Sequence, residues 1–448
     1  MTPLRPLSQR ASAPARNLDD AAVLCDSSMP LDPEQDAAVH QDLARVRGED
    51  RLASIRRNIR RAQGLPTLHF LSGHTGSGKT TELLRMKHEI ETDPRLGADT
   101  HVLMLDAMKD LNRQDVDLED ILVGLWKVVA DANPKAAERV LAPVWRDQIL
   151  SALSGLVVNL PAALPDALGK LLNDFKAPAV DQRKRLRTAL GDVSGALIDG
   201  LNKALMAFRA ADSPFEGSAN VVFLIDNLEK LAEAQAEVVE RLYLERLGAL
   251  KDLQAHLVIT VPLYLCYGVA GASLTARYGG EVVVLPMIKV RERQEKGGGD
   301  CDEGLDALVA LMALRVDFGL LFEGAQDTAR EVARVSGGCI RHALRILYLA
   351  ISRHDDPPVT VESVHRAIDT LRAEYNRALP EAWIAELLYV VANDRFSDAC
   401  PPEVKQGMLR HLFVLEYQNG EVPSWFSAHP LAASCSKVQA TLKARGDA

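Results

Sequence analysis

The sequence predicts an α/β fold: a parallel five-stranded sheet with a helical insertion, followed by an α-helical part and a terminal part of helices and a β-hairpin. Three observations carry this. Five short runs rich in Leu or β-branched residues alternate with helical segments, the pattern of a parallel sheet covered on both faces. The first run leads through a glycine-rich loop directly into a helix. Between the second and third runs, and again from Gly304 to Glu374, apolar residues recur only at helical spacing.

The first element is a basic amphipathic helix over Glu49 to Gln63, with Leu52, Ile55 and Ile59 on one stripe and Arg56, Arg57, Arg60 and Arg61 off it. The strands follow at Leu68 to Leu71, His101 to Leu105, Val221 to Ile225, Leu257 to Val261 and Glu281 to Leu285. After the first strand, Leu83, Met86 and Ile90 mark a helix. The insertion, residues 110–215, opens with Ile121, Leu122, Leu125, Val128 and Val129 at helix spacing. Lys296 to Asp300 has linker composition. Beyond it lie a helical lid domain, 302–374, and a domain over 375–448 with helices around Glu381 to Ala392 and Glu403 to Arg410. A strand at Leu412 to Tyr417, an Asn419-Gly420 turn and a returning strand near Trp425 and Phe426 complete it. Helices followed by a hairpin suggest a winged helix. The sheet domain is expected over 41–295 and a flexible tail over 1–40.

A chain of 448 residues fits two or three domains at about 100 to 200 residues each. Its 47% hydrophobic and 25% charged residues exclude wholesale disorder, collagen-like structure and coiled coil. A net charge of -9, from 52 basic and 61 acidic side chains, argues against a surface built throughout to neutralise phosphates. The six cysteines form no C-x-x-C pair, so neither a zinc knuckle nor a disulfide framework is readable, and a reducing cytoplasm is expected. The uncharged stretch Ile149 to Leu164 contains Asn159 and Pro161 and falls short of the roughly 20 apolar residues of a spanning helix. It reads as a buried helical hairpin, not a membrane anchor. Nor do the first 30 residues make a signal peptide, having no apolar core before Asp19 and Asp20.

The chemistry concentrates in Gly73-His74-Thr75-Gly76-Ser77-Gly78-Lys79-Thr80, which matches G-x-x-x-x-G-K-[ST] between a strand and a helix, with Thr81 next. Glycines there let backbone N–H groups turn inward around phosphates, Lys79 reaches the β and γ oxygens, and the Thr80 hydroxyl completes a Mg2+ shell. ATP and Mg2+ are the cofactors this implies. Val221 to Asp226 is an apolar strand ending in a carboxylate, which suits a second Mg2+ ligand. Asn227 follows where many such ATPases place a glutamate, so Glu229 is the candidate for orienting the attacking water, against the reading that it solvates a helix. Thr260, at the end of the fourth strand, could sense the γ-phosphate or serve only as a good β-former. Arg341, after Ser336-Gly337-Gly338-Cys339-Ile340, could clamp the γ-phosphate or be a surface arginine; Arg345 follows one turn later.

Taken together, Gly73 to Thr80, the strand ending at Asp226, Thr260 and Gly338-x-x-Arg341 resemble the AAA+ and STAND branches of the P-loop ATPases, especially initiator-type AAA+ proteins with a winged helix. The resemblance spans residues 45 to 430. It implies that Arg47-Gly48-Glu49-Asp50 lies over the adenine, that Thr260 is sensor 1 and Arg341 sensor 2. It also implies that subunits oligomerise, with Arg277 reaching a neighbour's nucleotide. Asn227 and the long insertion depart from the pattern.

The expected function is an ATP-driven switch that couples nucleotide state to a protein partner, in roles such as microbial defence or mobile-element control. A rival is a DNA-dependent loader or transposition regulator contacting DNA through the winged helix and the Arg56 to Arg61 helix. Charge disfavours it: Ala373 to Ala448 hold seven Lys or Arg against nine Asp or Glu, with Glu416 and Glu421 flanking the hairpin. A binding-only pseudo-ATPase is the other alternative, motivated by Asn227.

Overall fold

The computed structural model describes residues 6–28, 30–62, 65–96, 100–112, 115–157, 161, 163–176, 179–207, 220–231, 236–267, 269–279, 282–419 and 422–445. Its five-stranded sheet has the order β2-β3-β4-β1-β5. The strands are β1 (Leu68–Gly73), β2 (Thr100–Asp106), β3 (Asn220–Asp226), β4 (His256–Thr260) and β5 (Val282–Leu285). β3 pairs in parallel with β2 and β4, and β4 with β1; Asp106 is registered with Asp226, and Leu71 with Thr260. All five sequence-read strands are present, within one or two residues at each end; Glu281, expected to open the fifth, lies outside the described residues.

The helices follow the apolar stripes. They begin with α1 (Leu18–Leu24), α2 (Leu52–Arg61) and α3 (Lys79–Thr92). The insertion contributes α4 (Leu118–Ala132), α5 (Leu164–Lys176), α6 (Val180–Gly191) and α7 (Ser194–Ala207), and α8 (Val269–Tyr278) precedes β5. Then come α9 (Asp302–Ala313), α10 (Ala325–Val335), α11 (Ile340–Ile351) and α12 (Val361–Ala378). The chain ends with α13 (Ile384–Asn393), α14 (Pro402–Arg410), the antiparallel pair β6 (Val414–Asn419) and β7 (Val422–Ala428), and α15 (Ser436–Arg445).

Two compact units divide the chain: Met1–Arg51, Gly73–Arg85 and Val284–Ala448 form one, Leu52–Ser72 and Met86–Val283 the other. In the second, Phe70, Phe223 and Ile259 of the strands share one core with Trp126 of α4, Leu168 of α5 and Leu201 of α7. α4 starts at a capping box of Asp117 and Asp120, and the buried Asp120 carboxylate is paired with Arg187 of α6 at 2.8 Å. Trp126 donates its indole N–H to Leu197 O at 2.8 Å, joining α4 to α7 within the insertion. Ile149 to Leu164 is not a helical hairpin. One helix closes at Ala152, Gly155 takes φ +75°, and α5 opens only at Leu164; residues 158–160 and 162 lie outside the described residues. A left-handed glycine followed by Pro161 cannot continue a helix.

In the first unit, Leu24 of α1 shares a core with Leu305, Val332, Leu347 and Ile368 of α9 to α12. The expectation of a flexible tail over 1–40 is therefore overturned for its described residues. Leu7, Leu18 and Ala21 are buried, Ala15 and Val316 form a parallel bridge, and Arg315 donates to Leu24 O at 2.7 Å. The apolar residues are spaced too sparsely for a periodic signal, yet each finds a place in that core. Lys296 to Asp300 is likewise no loose linker. Arg291 bridges Asp300 across it, Gly297 and Gly298 take positive φ, and Asp300 accepts a bidentate hydrogen bond from Arg334. β6 starts two residues later than expected because Leu412, leaving α14, adopts φ +60°; Gly420 and Glu421, read as the turn and its flank, lie outside the described residues.

No helix among the described residues is long and apolar enough to cross a membrane.

Candidate active site

The glycine-rich loop belongs to the first unit. Gly73 takes φ +146° and Gly76 φ +84°, backbone conformations that L side chains rarely adopt. A Cβ at Gly73 would lie 2.5 Å from Leu285 O, and one at Gly76 would lie 2.8 Å from Arg341 Cβ and 2.9 Å from Cys339 Sγ. Glycine is required at both positions by conformation and by contact, and the loop is wedged at each.

Lys79 is buried, and its ammonium donates to the carbonyls of Gly73 at 2.8 Å and His74 at 3.2 Å. The lysine curls back over its own loop, because a buried ammonium needs acceptors. Ser77 is 1% exposed, and its hydroxyl has no hydrogen-bond partner among the described residues. Thr80 is half-buried at the start of α3, and the Thr81 hydroxyl accepts from Leu31 N at 3.3 Å, tying the N-terminal segment to the loop.

Arg47 is 2% exposed, pairs with Glu82 of α3 at 2.9 Å and donates to Ser77 O. Arg85 joins Glu82 to Asp50 at 2.8 and 3.0 Å. Arg47 therefore braces the loop through the Ser77 carbonyl, and Gly48, which follows it, takes φ +92°. Behind these bonds is electrostatic economy: two arginines and two carboxylates satisfy each other out of water.

His74 is the residue whose importance the motif conceals, since it occupies a position where any residue is allowed. It is 2% exposed, its Nδ1 donates to Leu409 O at 3.2 Å, and its Nε2 accepts from Glu416 N at 2.9 Å. These partners fix the neutral Nδ1–H tautomer. Burial, and then the Lys79 charge, push its pKa down to about 3.

Arg341, the second residue of α11, lies against Gly76 with its side chain and is half-buried, and its guanidinium makes no hydrogen bond or ion pair among the described residues. Arg345 is not available in this way, being held by Glu374 at 2.8 and 2.6 Å.

The second unit carries the other candidates at the carboxyl ends of its strands, where open α/β sheets bind ligands. Asp226, ending β3, is fully buried. Asn227 takes φ +62°, a conformation asparagine tolerates better than glutamate. Its amide donates to Asp106 Oδ1 at 2.9 Å and its oxygen accepts from Lys230. Asp106 was missed by sequence reasoning that ended β2 at Leu105, although an apolar run closing in Asp was as legible there as at Asp226. Glu229 is half-buried in the short helix Leu228–Leu231; burial first, and its charge second, push the Tyr243 phenol up.

The buried Thr260 hydroxyl accepts from Leu228 N at 3.1 Å and donates to Ile225 O at 3.3 Å. Through these two bonds Thr260 seats the short helix that carries Glu229. Arg277, near the end of α8, is exposed, and its guanidinium makes no ion pair among the described residues.

The loop fits a phosphate. It offers an orphaned buried hydroxyl on Ser77, an ammonium on Lys79 that lies on the carbonyls of Gly73 and His74, and an uncommitted guanidinium on Arg341. A hydroxyl on Thr80 and a carboxylate on Asp226 are the oxygen donors Mg2+ prefers, and no three-residue His/Cys/Asp/Glu metal cluster occurs among the described residues.

No family model and no curated protein matches the chain. Among solved structures it is similar to Drosophila ORC bound to DNA, at 14% identity and a TM-score of 0.40 over 95% of this chain and 91% of that one. It is also similar to a Walker-type ATPase of Pyrococcus abyssi, at 12% identity and 0.43 over 93% and 99%. A third is Cdc6p from Pyrobaculum aerophilum, at 12% identity and 0.41 over 96% and 100%.

Proposed function

We propose that the chain is an ATP-binding and ATP-hydrolysing switch of AAA+/STAND type. The observation that supports this best is the loop itself, with Lys79 stored on the carbonyls of Gly73 and His74 beside the orphaned Ser77 hydroxyl and Arg341. Inward-facing N–H groups and Lys79 hold the β and γ phosphates, and Thr80 and Asp226 hold Mg2+, which neutralises phosphate charge when bound. Glu229 orients water, a role left to it because Asn227 carries no proton-accepting carboxylate. Arg341 senses the γ-phosphate, and Arg277 acts on a neighbouring subunit's nucleotide. Titration of the folded protein with a fluorescent ATP analogue tests the reading, which fails if the loop lysine can be removed without loss of affinity.

A second reading makes the partner DNA, with the switch acting as a DNA-dependent loader. It is favoured by α2, where Arg57 and Arg61 are exposed and Arg57 and Arg60 line an open groove of about 400 Å3 with Arg56. Against it, Arg56 is already paired with Glu89, and Glu89 and Asp93 line the same groove. ATP turnover with and without duplex DNA, repeated at two salt concentrations, separates a DNA partner from a protein one, because phosphate contacts are lost with salt. No turnover under any condition, with ATP bound, identifies a binding-only protein.

A further inference from the structure

His74 belongs to two structures at once. Its main-chain carbonyl accepts from Lys79 at 3.2 Å, so it helps hold the charge that phosphate would claim. Its ring, 2% exposed, is the donor to Leu409 O at the end of α14 and the acceptor for Glu416 N in β6, 335 and 342 residues further along the chain.

The loop has little freedom except at this residue. Gly73 is wedged against Leu285 O, and Gly76 against Arg341 and Cys339. Between these fixed points lie only His74 and Thr75. Phosphate oxygens are charged acceptors and outcompete neutral carbonyls for an ammonium. When Lys79 turns to phosphate, the His74 carbonyl loses its cation, and the adjustment falls on the segment whose ring holds Leu409 and Glu416. Further bonds continue the line: Glu416 O accepts from Met287 N at 3.0 Å, and Tyr417 donates to Gly337 O at 2.7 Å, in the turn that precedes Arg341. β6 is thus tied to His74 of the loop, to Met287 and to the turn that precedes Arg341.

We infer that His74 is a positioning residue that transmits occupancy of the phosphate loop to the C-terminal hairpin, through its ring bonds to Leu409 and Glu416. The inference rests on the ATP-binding reading and adds to it the route by which nucleotide reaches the hairpin.

The test is amide hydrogen exchange on the full chain, alone and with Mg2+ and ADP or ATPγS, for the wild type and for His74→Ala, with affinity measured separately by titration. In the wild type, nucleotide should change exchange in peptides spanning residues 409–417 by roughly fivefold or more, the worth of one hydrogen bond. In His74→Ala, exchange there should be raised and no longer respond to nucleotide, although nucleotide still binds. His74→Gln, with a donor and an acceptor on a flexible stem, should restore part of the response and guards against a variant that fails to fold. A wild type that binds nucleotide without any change in 409–417 would overturn the inference alone, as would an undiminished response in folded His74→Ala. A wild type that binds no nucleotide would overturn the ATP-binding reading, and this inference with it.

Discussion

Nε2 of His74 accepts the main-chain N–H of Glu416 at 2.9 Å, joining the glycine-rich loop to a strand 342 residues away. That bond requires the ring to stay neutral, and the buried His256 and His342 and the half-buried His69 are held neutral in the same way. Burial pushes His69, His256 and His342 down to about 4, and burial and then Lys79 push His74 to about 3. Each folded value lies below the unfolded one of about 6.5, so the unfolded chain binds more protons between them. Stability is complete above that pH and declines as pH falls toward the folded values, by up to about 1.4 kcal/mol per pH unit for each histidine. Urea unfolding should show a clearly lower midpoint at pH 5.5 than at pH 7.5, and equal midpoints would contradict neutral burial.

Glu229→Gln should retain ATP and slow its hydrolysis by roughly two orders of magnitude, the common worth of a positioned base. Single-turnover kinetics with measured ATP occupancy reads this directly. Normal hydrolysis would move the role to another group.

Arg341 is placed to distinguish nucleotides because its neighbour is the loop and its guanidinium is uncommitted. Arg341→Ala should weaken ATP about tenfold or more while leaving ADP within about twofold, since its charge-assisted contact is to the γ-phosphate, which ADP lacks. Equal loss for both nucleotides in competition titrations would make Arg341 a support of the loop.

Gly76→Ala tests the wedge. A methyl group there meets Arg341 and Cys339 at under 3 Å in a left-handed backbone. Overpacking and strain together should cost about 1 to 3 kcal/mol and lower the thermal midpoint. An unchanged midpoint would show that the turn yields more easily than its contacts indicate.

The sheet was legible because buried parallel strands are continuous apolar runs, and the loop because G-x-x-x-x-G-K-T between a strand and a helix has few other meanings. What stayed hidden depended on partners far off in sequence. Nothing local announces that Arg47 binds Glu82 or that Thr260 bonds to Ile225. His74 stands at an unrestricted motif position, and only its fit to Leu409 and Glu416 reveals what it does. The packed N-terminal segment was missed because Leu7, Ala15, Leu18 and Leu24 have no common period and are buried by helices 280 or more residues later.

The central claim is that the Gly73 to Thr80 loop binds ATP through Lys79, and equilibrium titration of wild type and Lys79→Ala with a fluorescent ATP analogue and Mg2+ tests it most directly. Circular dichroism and thermal midpoints would establish that both proteins are folded. The account predicts saturable binding by the wild type and at least about a hundredfold loss in Lys79→Ala, the share of a lysine that grips two phosphates. A folded Lys79→Ala that binds as tightly as the wild type would contradict it.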